Sequence, residues 1–321
     1  MMPDRPATVT RRLLLGGSGA SLAAALVGCG GPSLDRLAPR AFPAFADNGE
    51  PPLLVDPAAL AALTAARGDD VLVLDASDRA DYRRGHIPGA VHTFWQETIE
   101  RDADRFGTVL APAENQARRL AWLQRHGIDP SRHVVVCEQG DGRRAARIVW
   151  FLRFLGHDAA TMLDGGVRAW AGAGLPLADG IVAPPAPRTL PAVAPRTGYY
   201  EGATQALDRL DDPAHRIVDI RTPAERDADT ASGYPADAIP GAIPLPWTAL
   251  LDPATGRYAA PNTVAPALAA AGIDAASDLL LVGRTGVDAN PAWLGLRLHG
   301  VIRIACFDPG WGGWPSADNP R

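Results

Sequence analysis

The sequence predicts two tandem α/β domains, each a small parallel β-sheet flanked by helices. Three observations carry this expectation. A chain of 321 residues is long for one core and suits two. An ordered set of landmarks occurs in the first half and again in the second. The apolar runs are short and do not alternate with polar residues, as expected of strands buried on both faces of a parallel sheet, and helical runs separate them.

Residues 1–29 read as an export signal rather than as part of a fold. The pair Arg11-Arg12 precedes a Gly/Ala/Leu stretch that ends Leu26-Val27-Gly28-Cys29. The pair resembles a twin-arginine signal, and Leu-Val-Gly-Cys resembles the bacterial lipobox, in which the cysteine is acylated and begins the mature chain. The apolar run is short and glycine-rich for a membrane span. Cys29 is therefore expected to be the lipidation site, with a simple cleaved signal as the alternative. Residues 30–52, rich in Pro, Gly and Ala, read as a tether. The expected location is the periplasm or the outer face of the cytoplasmic membrane, with membrane attachment through the lipid only.

The first domain is expected over residues 53–175. A strand Val71–Leu74 ends in Asp75, and Gly85-His86-Ile87-Pro88-Gly89-Ala90 follows. The strand Val134–Cys137 leads into a loop, Glu138–Gly142, and a helical run continues from Arg143 to Leu155. Leu163-Asp164-Gly165-Gly166 and Trp170 close the half. Residues 176–198 carry many prolines and read as a linker. The second domain, residues 199–321, repeats the order: Ile217–Asp219, Ile239-Pro240-Gly241-Ala242, the strand Leu279–Val282, the loop Gly283–Asp288, a helical run near Pro291–His299, then Phe307–Trp311 and Trp314.

In such sheets the ligand site lies at the carboxyl ends of the strands, where both loops fall. Gly140, Gly142 and Gly286 allow backbone N–H groups to turn inward, and the following helix N-terminus adds partial positive charge. An anion cradle is expected in each half, centred on whichever residue opens the loop.

Composition limits the rest. Net charge is −5, which gives no basic field for nucleic acid. Every basic residue is Arg, so no Lys can form a Schiff base. The three cysteines, Cys29, Cys137 and Cys306, are too few for a disulfide framework and are not spaced as metal ligands. No metal and no cofactor is expected.

The paired Gly-His-Ile-Pro-Gly-Ala type motif, Leu-Asp-Gly-Gly with its trailing Trp, and Asp219-Ile-Arg-Thr-Pro-Ala-Glu225 together resemble the rhodanese family, specifically its tandem sulfurtransferases. The resemblance covers about residues 53–175 and 200–316. It implies transfer of sulfane sulfur from a donor such as thiosulfate, through a cysteine persulfide, to a thiol, protein or other thiophilic acceptor. In active tandem members the cysteine opens the second domain's loop; here that position is Gly283, so catalysis is expected to be weak or degenerate. Arg221 matches the family's substrate-facing arginine; an ordinary ion pair, with Glu225 for example, is the alternative. Arg284 and Gly286 complete the candidate anion contacts of that half.

Cys137 is the remaining candidate nucleophile, and two registers compete. Matching strand ends makes Cys137 the last strand residue, a buried core position, with Glu138 opening the loop. Otherwise Cys137 opens the loop itself, and Cys137-x5-Arg143 sets a thiolate at a helix N-terminus with an oxyanion-gripping arginine beyond it. The second register gives a sulfur carrier or, with less support, chemistry similar to rhodanese-fold phosphatases and arsenate reductases. Glu138 and Asp141 oppose it by raising the thiolate pKa. A non-catalytic module that binds a sulfur-containing anion or a partner protein is the alternative to an enzyme. His86 is expected to brace a turn, Asp75 and Asp219 to hold loop N–H groups, Trp170, Trp311 and Trp314 to pack, and Cys306 to lie in the core, unlinked to Cys137.

Overall fold

The computed structural model describes residues 52–100, 108–109, 116–187, 195–210, 212, 214–231, 239 and 241–314. The expected export signal, Cys29 and the tether up to residue 51 lie outside the described residues. No helix of the described residues is long and apolar enough to cross a membrane.

The first half runs β1 (Leu54–Val55), α1 (Pro57–Arg67), β2 (Val71–Asp75), α2 (Arg79–Arg84), β3 (Val91–His92), a short antiparallel pair β4 (Ile99–Glu100) and β5 (Thr108–Val109), α3 (Gln116–Arg125), β6 (His133–Cys137), α4 (Arg143–Phe154), β7 (Ala160–Leu163) and α5 (Gly166–Gly172). The second runs β8 (Tyr200–Glu201), α6 (Ala203–Leu210), β9 (His215–Asp219), α7 (Pro223–Ala231), β10 (Ile243–Pro244), α8 (Pro261–Ala270), β11 (Asp278–Val282), α9 (Ala289–Leu298) and β12 (Arg303–Phe307). The first sheet has the order β1-β7-β6-β2-β3 and the second β8-β12-β11-β9-β10, the same path traced twice, with every pairing in both parallel. The two tandem α/β domains expected from the sequence are the fold observed.

Local chemistry explains the elements. Asp56 caps α1 by accepting from the Ala59 N–H at 2.8 Å, and Pro57 occupies the first turn, where its missing N–H costs nothing. β6 and β11 are buried along nearly their whole length because helices cover both faces of each sheet. α4 is buried from Ala145 to Phe154 and packs on α9, its counterpart in the second domain. Trp150, Tyr199 and Trp293 form a chain of ring contacts there, and one apolar core runs through both halves.

Residues 176–187 of the proline-rich stretch are more tightly held than a free linker. His86 and Ala178 exchange backbone hydrogen bonds, Trp170 Nε1 donates to the Pro176 carbonyl, and Arg132 donates to that of Ala186. Residues 176–187 thus lie along the first domain. His86 braces this join: it is buried, stacked on Tyr82, with Nδ1 2.9 Å from the Tyr82 carbonyl.

The doubled glycine motif has a specific job. A Cβ on Gly166 would lie 2.1 Å from the Glu138 carbonyl oxygen, at a backbone φ of +59°. Only glycine admits this approach, which lets the Val167 N–H donate to that carbonyl at 3.0 Å. Gly166→Ala is therefore expected to cost roughly 2–4 kcal/mol in urea unfolding. Gly172→Ala, where an added Cβ meets nothing within 4 Å, is expected to cost nothing or to stabilise slightly. Equal effects of the two substitutions would contradict this account.

Candidate functional site

Two hydrogen bonds fix which residue opens each loop. In the first domain the Ala76 N–H donates to the Cys137 carbonyl and the Val167 N–H to that of Glu138. In the second the Ile220 N–H donates to the Val282 carbonyl and the Trp311 N–H to that of Gly283. Cys137 lies opposite Asp75 in the sheet, as Val282 lies opposite Asp219. Cys137 therefore corresponds to Val282, and Glu138 to Gly283.

This corrects the register in which Cys137 opens the loop. Its side chain is fully buried among Val135, Leu163 and Val167, in a cluster separate from the core that the two halves share. Burial first, then the carboxyls of Asp75 and Glu138, push its thiol pKa well above the usual value. A thiol so placed is neutral and walled off, the reverse of a reactive thiolate. Cys306 is buried in the other core, its pKa also pushed up by burial, with the Asn290 amide 3.7 Å from its sulfur. Both thiols are free.

Glu138 occupies the first cradle itself. Its Oε1 accepts from the Arg144 N–H at 3.1 Å, in the first turn of α4, and the Ala145 N–H also stabilises it. Its other oxygen, Oε2, is buried without a hydrogen-bond partner beside Gly140. Burial, then Asp141, push the Glu138 carboxyl up to about 7, against the pull of Arg144 and the two amides. Gly142 turns the chain into α4 with φ +90°, and Gln139 ties the loop to the carbonyls of Asp81 and Gly85.

The second loop is also closed by a carboxylate. Asp288 Oδ2 accepts from the Thr285 N–H at 3.0 Å and its hydroxyl at 2.9 Å. Gly286 packs on the Asp308 backbone, where a Cβ would lie 2.3 Å from its carbonyl oxygen. Gly283 is hemmed in by Ile220, Asp288 and Thr285.

The arginines are committed as well. Arg143 donates to Asp141 at 2.8 Å, Glu225 at 3.1 Å and Asp288 at 3.3 Å, so it bridges the domains, over the Trp247 ring. Burial alone would lower its pKa; those carboxylates outweigh burial and hold it above the ordinary value. Arg284 pairs with Asp229 at 2.8 Å. The expected exposure of Arg221 in a concave anion site is corrected: it is buried, bonded to both Asp219 oxygens and to Asp229, and lies 4.0 Å over Trp311. The partner proposed from sequence, Glu225, instead caps α7 through the Thr222 N–H and meets Arg143. Asp75 and Asp219 hold the N–H groups of Ser77 and Arg221, as expected.

Both loops border one cavity of about 1000 Å³ between the domains. Glu138, Gly140, Gly142, Arg143 and Arg284 line it; Cys137, Arg221, Gly283 and Gly286 do not. Sequence reasoning missed the walls supplied by domain packing: Trp95, Trp247, Tyr258 and Asp164. Asp164 binds Arg257 at 2.9 Å and the Tyr258 N–H at 3.1 Å, coupling the Asp-Gly-Gly motif to the second domain. Among the described residues no cluster of three or more His, Cys, Asp or Glu is placed to hold a metal ion.

The Glu138 carboxyl makes stability depend on pH. The unfolded chain ionises this group from about 4.5 upward, the folded chain only near 7. Folding stability is thus expected to fall with rising pH across that window, by about 3 kcal/mol from this group, and to level off outside it. Glu138→Gln should remove that component of the slope and be more stable than the parent at pH 8. A slope unchanged by the substitution would refute the assignment.

Comparison with known proteins agrees with the doubled fold. The Rhodanese-like domain family matches residues 57–173 and again 202–317. Human 3-mercaptopyruvate sulfurtransferase is 27% identical over 275 residues, 81% of this chain and 90% of its own. The thiosulfate sulfurtransferase of Azotobacter vinelandii is 26% identical over 266 residues, 82% of this chain and 94% of its own. The crystal structure of the 3-mercaptopyruvate sulfurtransferase SseA from Escherichia coli superimposes with a TM-score of 0.69 at 22% identity, over 81% of this chain and 98% of that one. An anaerobic ergothioneine biosynthesis enzyme from Chlorobium limicola gives 0.71 at 22% identity, over 84% of this chain and 69% of that one.

Proposed function

The chain belongs to the Rhodanese-like domain family, with one domain in each half, and from that premise we propose that it is a sulfurtransferase relative that binds a small molecule in the interdomain cavity without forming a persulfide. The observation that carries this reading is the identity of the two loop-opening residues, Glu138 and Gly283. Persulfide formation needs a thiolate that attacks the sulfane sulfur of a donor while the donor's remaining anion departs. Neither residue has a thiol, and the two described thiols are fully buried.

Sulfur transfer through Cys137 is the second reading. It is favoured by the position of Cys137 one residue before the loop, with Arg143 at the loop's far end, and by similarity to enzymes named for 3-mercaptopyruvate and thiosulfate. It requires the thiol to leave the core and displace Glu138. Intact mass after incubation with thiosulfate or 3-mercaptopyruvate separates the two readings. The parent is expected to gain no sulfur. Gly283→Cys, whose Cβ needs neighbours to give by a few tenths of an ångström, places a thiol at the second loop but outside the cavity lining and behind Asp288, and it is also expected to gain none. A parent that gains sulfur, and loses that ability in Cys137→Ser, would establish the second reading instead.

Export to the outer face of the cytoplasmic membrane, with acylation at Cys29, is part of the same proposal. Its support is the sequence alone: Arg11-Arg12, the short apolar stretch and Leu26-Val27-Gly28-Cys29. Cys29→Ala is expected to move the protein from the membrane fraction to the soluble fraction. Retention of that variant on membranes would sink the anchor.

A further inference from the structure

The family's loop welcomes an anion; here the loop amides and three of the four arginines that line the cavity are already committed to carboxylates. The first amides of α4 are already taken by Glu138 Oε1. Arg143 is held by three carboxylates, Arg144 by Asp78 at 2.9 Å, Arg284 by Asp229, and Arg168 donates to the Gln139 carbonyl. An incoming anion would meet Glu138 and Asp141 at the mouth of the first loop.

A cation has one opening. Glu138, Asp141, Asp164, Glu225 and Asp288 line the cavity against four arginines, and all of these carboxylates except Glu138 are paired with Arg143 or Arg257. Glu138 Oε2 is a buried acceptor with no hydrogen-bond partner, beside Gly140, and both residues border the open volume. An unfilled buried acceptor is costly, and a ligand donor would relieve that cost. Trp95 and Tyr258 add aromatic wall, and the Tyr258 hydroxyl, which donates to the Pro291 carbonyl, keeps its oxygen free to accept. The cavity already holds one cation in this manner: the Arg143 guanidinium lies 5.4 Å from the Trp247 ring centroid, among Asp141, Glu225 and Asp288.

We propose that the interdomain cavity takes a small organic cation with an N–H donor, an ammonium or amidinium, bound through that donor to the Glu138 carboxyl, whose unpartnered Oε2 turns from its place beside Gly140 toward the open volume, and through its apolar part to Trp95 and Tyr258. The assignment rests on the binding reading above and names its ligand class. Asp141 and Arg144 flank Glu138 on its own loop and helix, Cys137 lies behind it, and Tyr258 faces it from the second domain. With the Glu138 carboxyl at about 7, a bound cation stabilises the ionised form and expels a proton near neutrality. A bound oxyanion would favour the protonated form and take a proton up.

Calorimetric titration at pH 7 with benzylammonium, in two buffers of different ionisation heat, reads both affinity and proton exchange. The expected result is binding with release of a fraction of a proton, tightening as pH rises through 7. Glu138→Gln should weaken binding by about tenfold or more and abolish the proton release. Benzyltrimethylammonium, which has the charge but no N–H, should bind less tightly than benzylammonium. The cation assignment is overturned if benzylammonium fails to bind, if Glu138→Gln binds it equally well, or if thiosulfate binds with proton uptake. Those outcomes leave the binding reading standing where the protein gains no sulfur; a gain of sulfur on thiosulfate in the mass measurement would remove both.

Discussion

The site depends on one hydrogen bond made twice, from the first amide beyond each glycine motif to the carbonyl of the loop-opening residue: Val167 N–H to Glu138 and Trp311 N–H to Gly283. The close approach behind it permits no side chain on Gly166. It pins the strand end, so β6 and β11 stop at equivalent residues and the loops begin at equivalent residues. A one-residue slip would reverse every side chain of a strand buried on both faces and take that carbonyl out of reach. The position of Cys137 is therefore fixed by the glycine motif as much as by its own strand.

Each cradle is closed by a carboxylate of its own loop. The first amides of α4 donate to Glu138, the loop's first residue, although burial and Asp141 still push that carboxyl up to about 7. In the second domain, where Gly283 has no side chain to offer, Asp288 closes the loop through Thr285. The arginines are committed in the same way. Arg143 meets carboxylates from its own loop and from the second domain, so it joins the domains rather than awaiting a ligand. Carboxylates and arginines are coupled: a cradle filled from within leaves its guanidinium groups to be satisfied by the protein.

Much of the fold was legible because its long strands are continuous apolar runs. Val71–Asp75, Val134–Cys137 and Leu279–Val282 lie within strands of five residues. The two-residue strands β1, β3, β8 and β10 carry no pattern; pairing with a neighbour defines them. The loops were legible as the candidate site, and matching strand ends already set Glu138 at the loop opening. The fate of the Glu138 side chain was not legible, because its amide partners appear only once α4 has begun. Arg221 misled for a related reason. Asp229, eight residues on, completes its burial, and a sequence does not reveal which face α7 turns to the loop.

The cavity walls were the least legible part, since they come from domain packing rather than from either repeat. Tyr258 and Asp164 are 94 residues apart and meet across the interface; Trp95 and Trp247 reach the same cavity from short turns that carry no family motif. Duplication thus had a chemical consequence that neither copy contains alone. One domain offers a strand-end loop and a helix N-terminus, which suit an anion. Two domains packed through α4 and α9 enclose that loop opposite carboxylates and aromatic rings of the partner half. Once the nucleophile position holds Glu138 and Gly283, the electrostatics of the enclosed volume, rather than the loop itself, decide what can bind there.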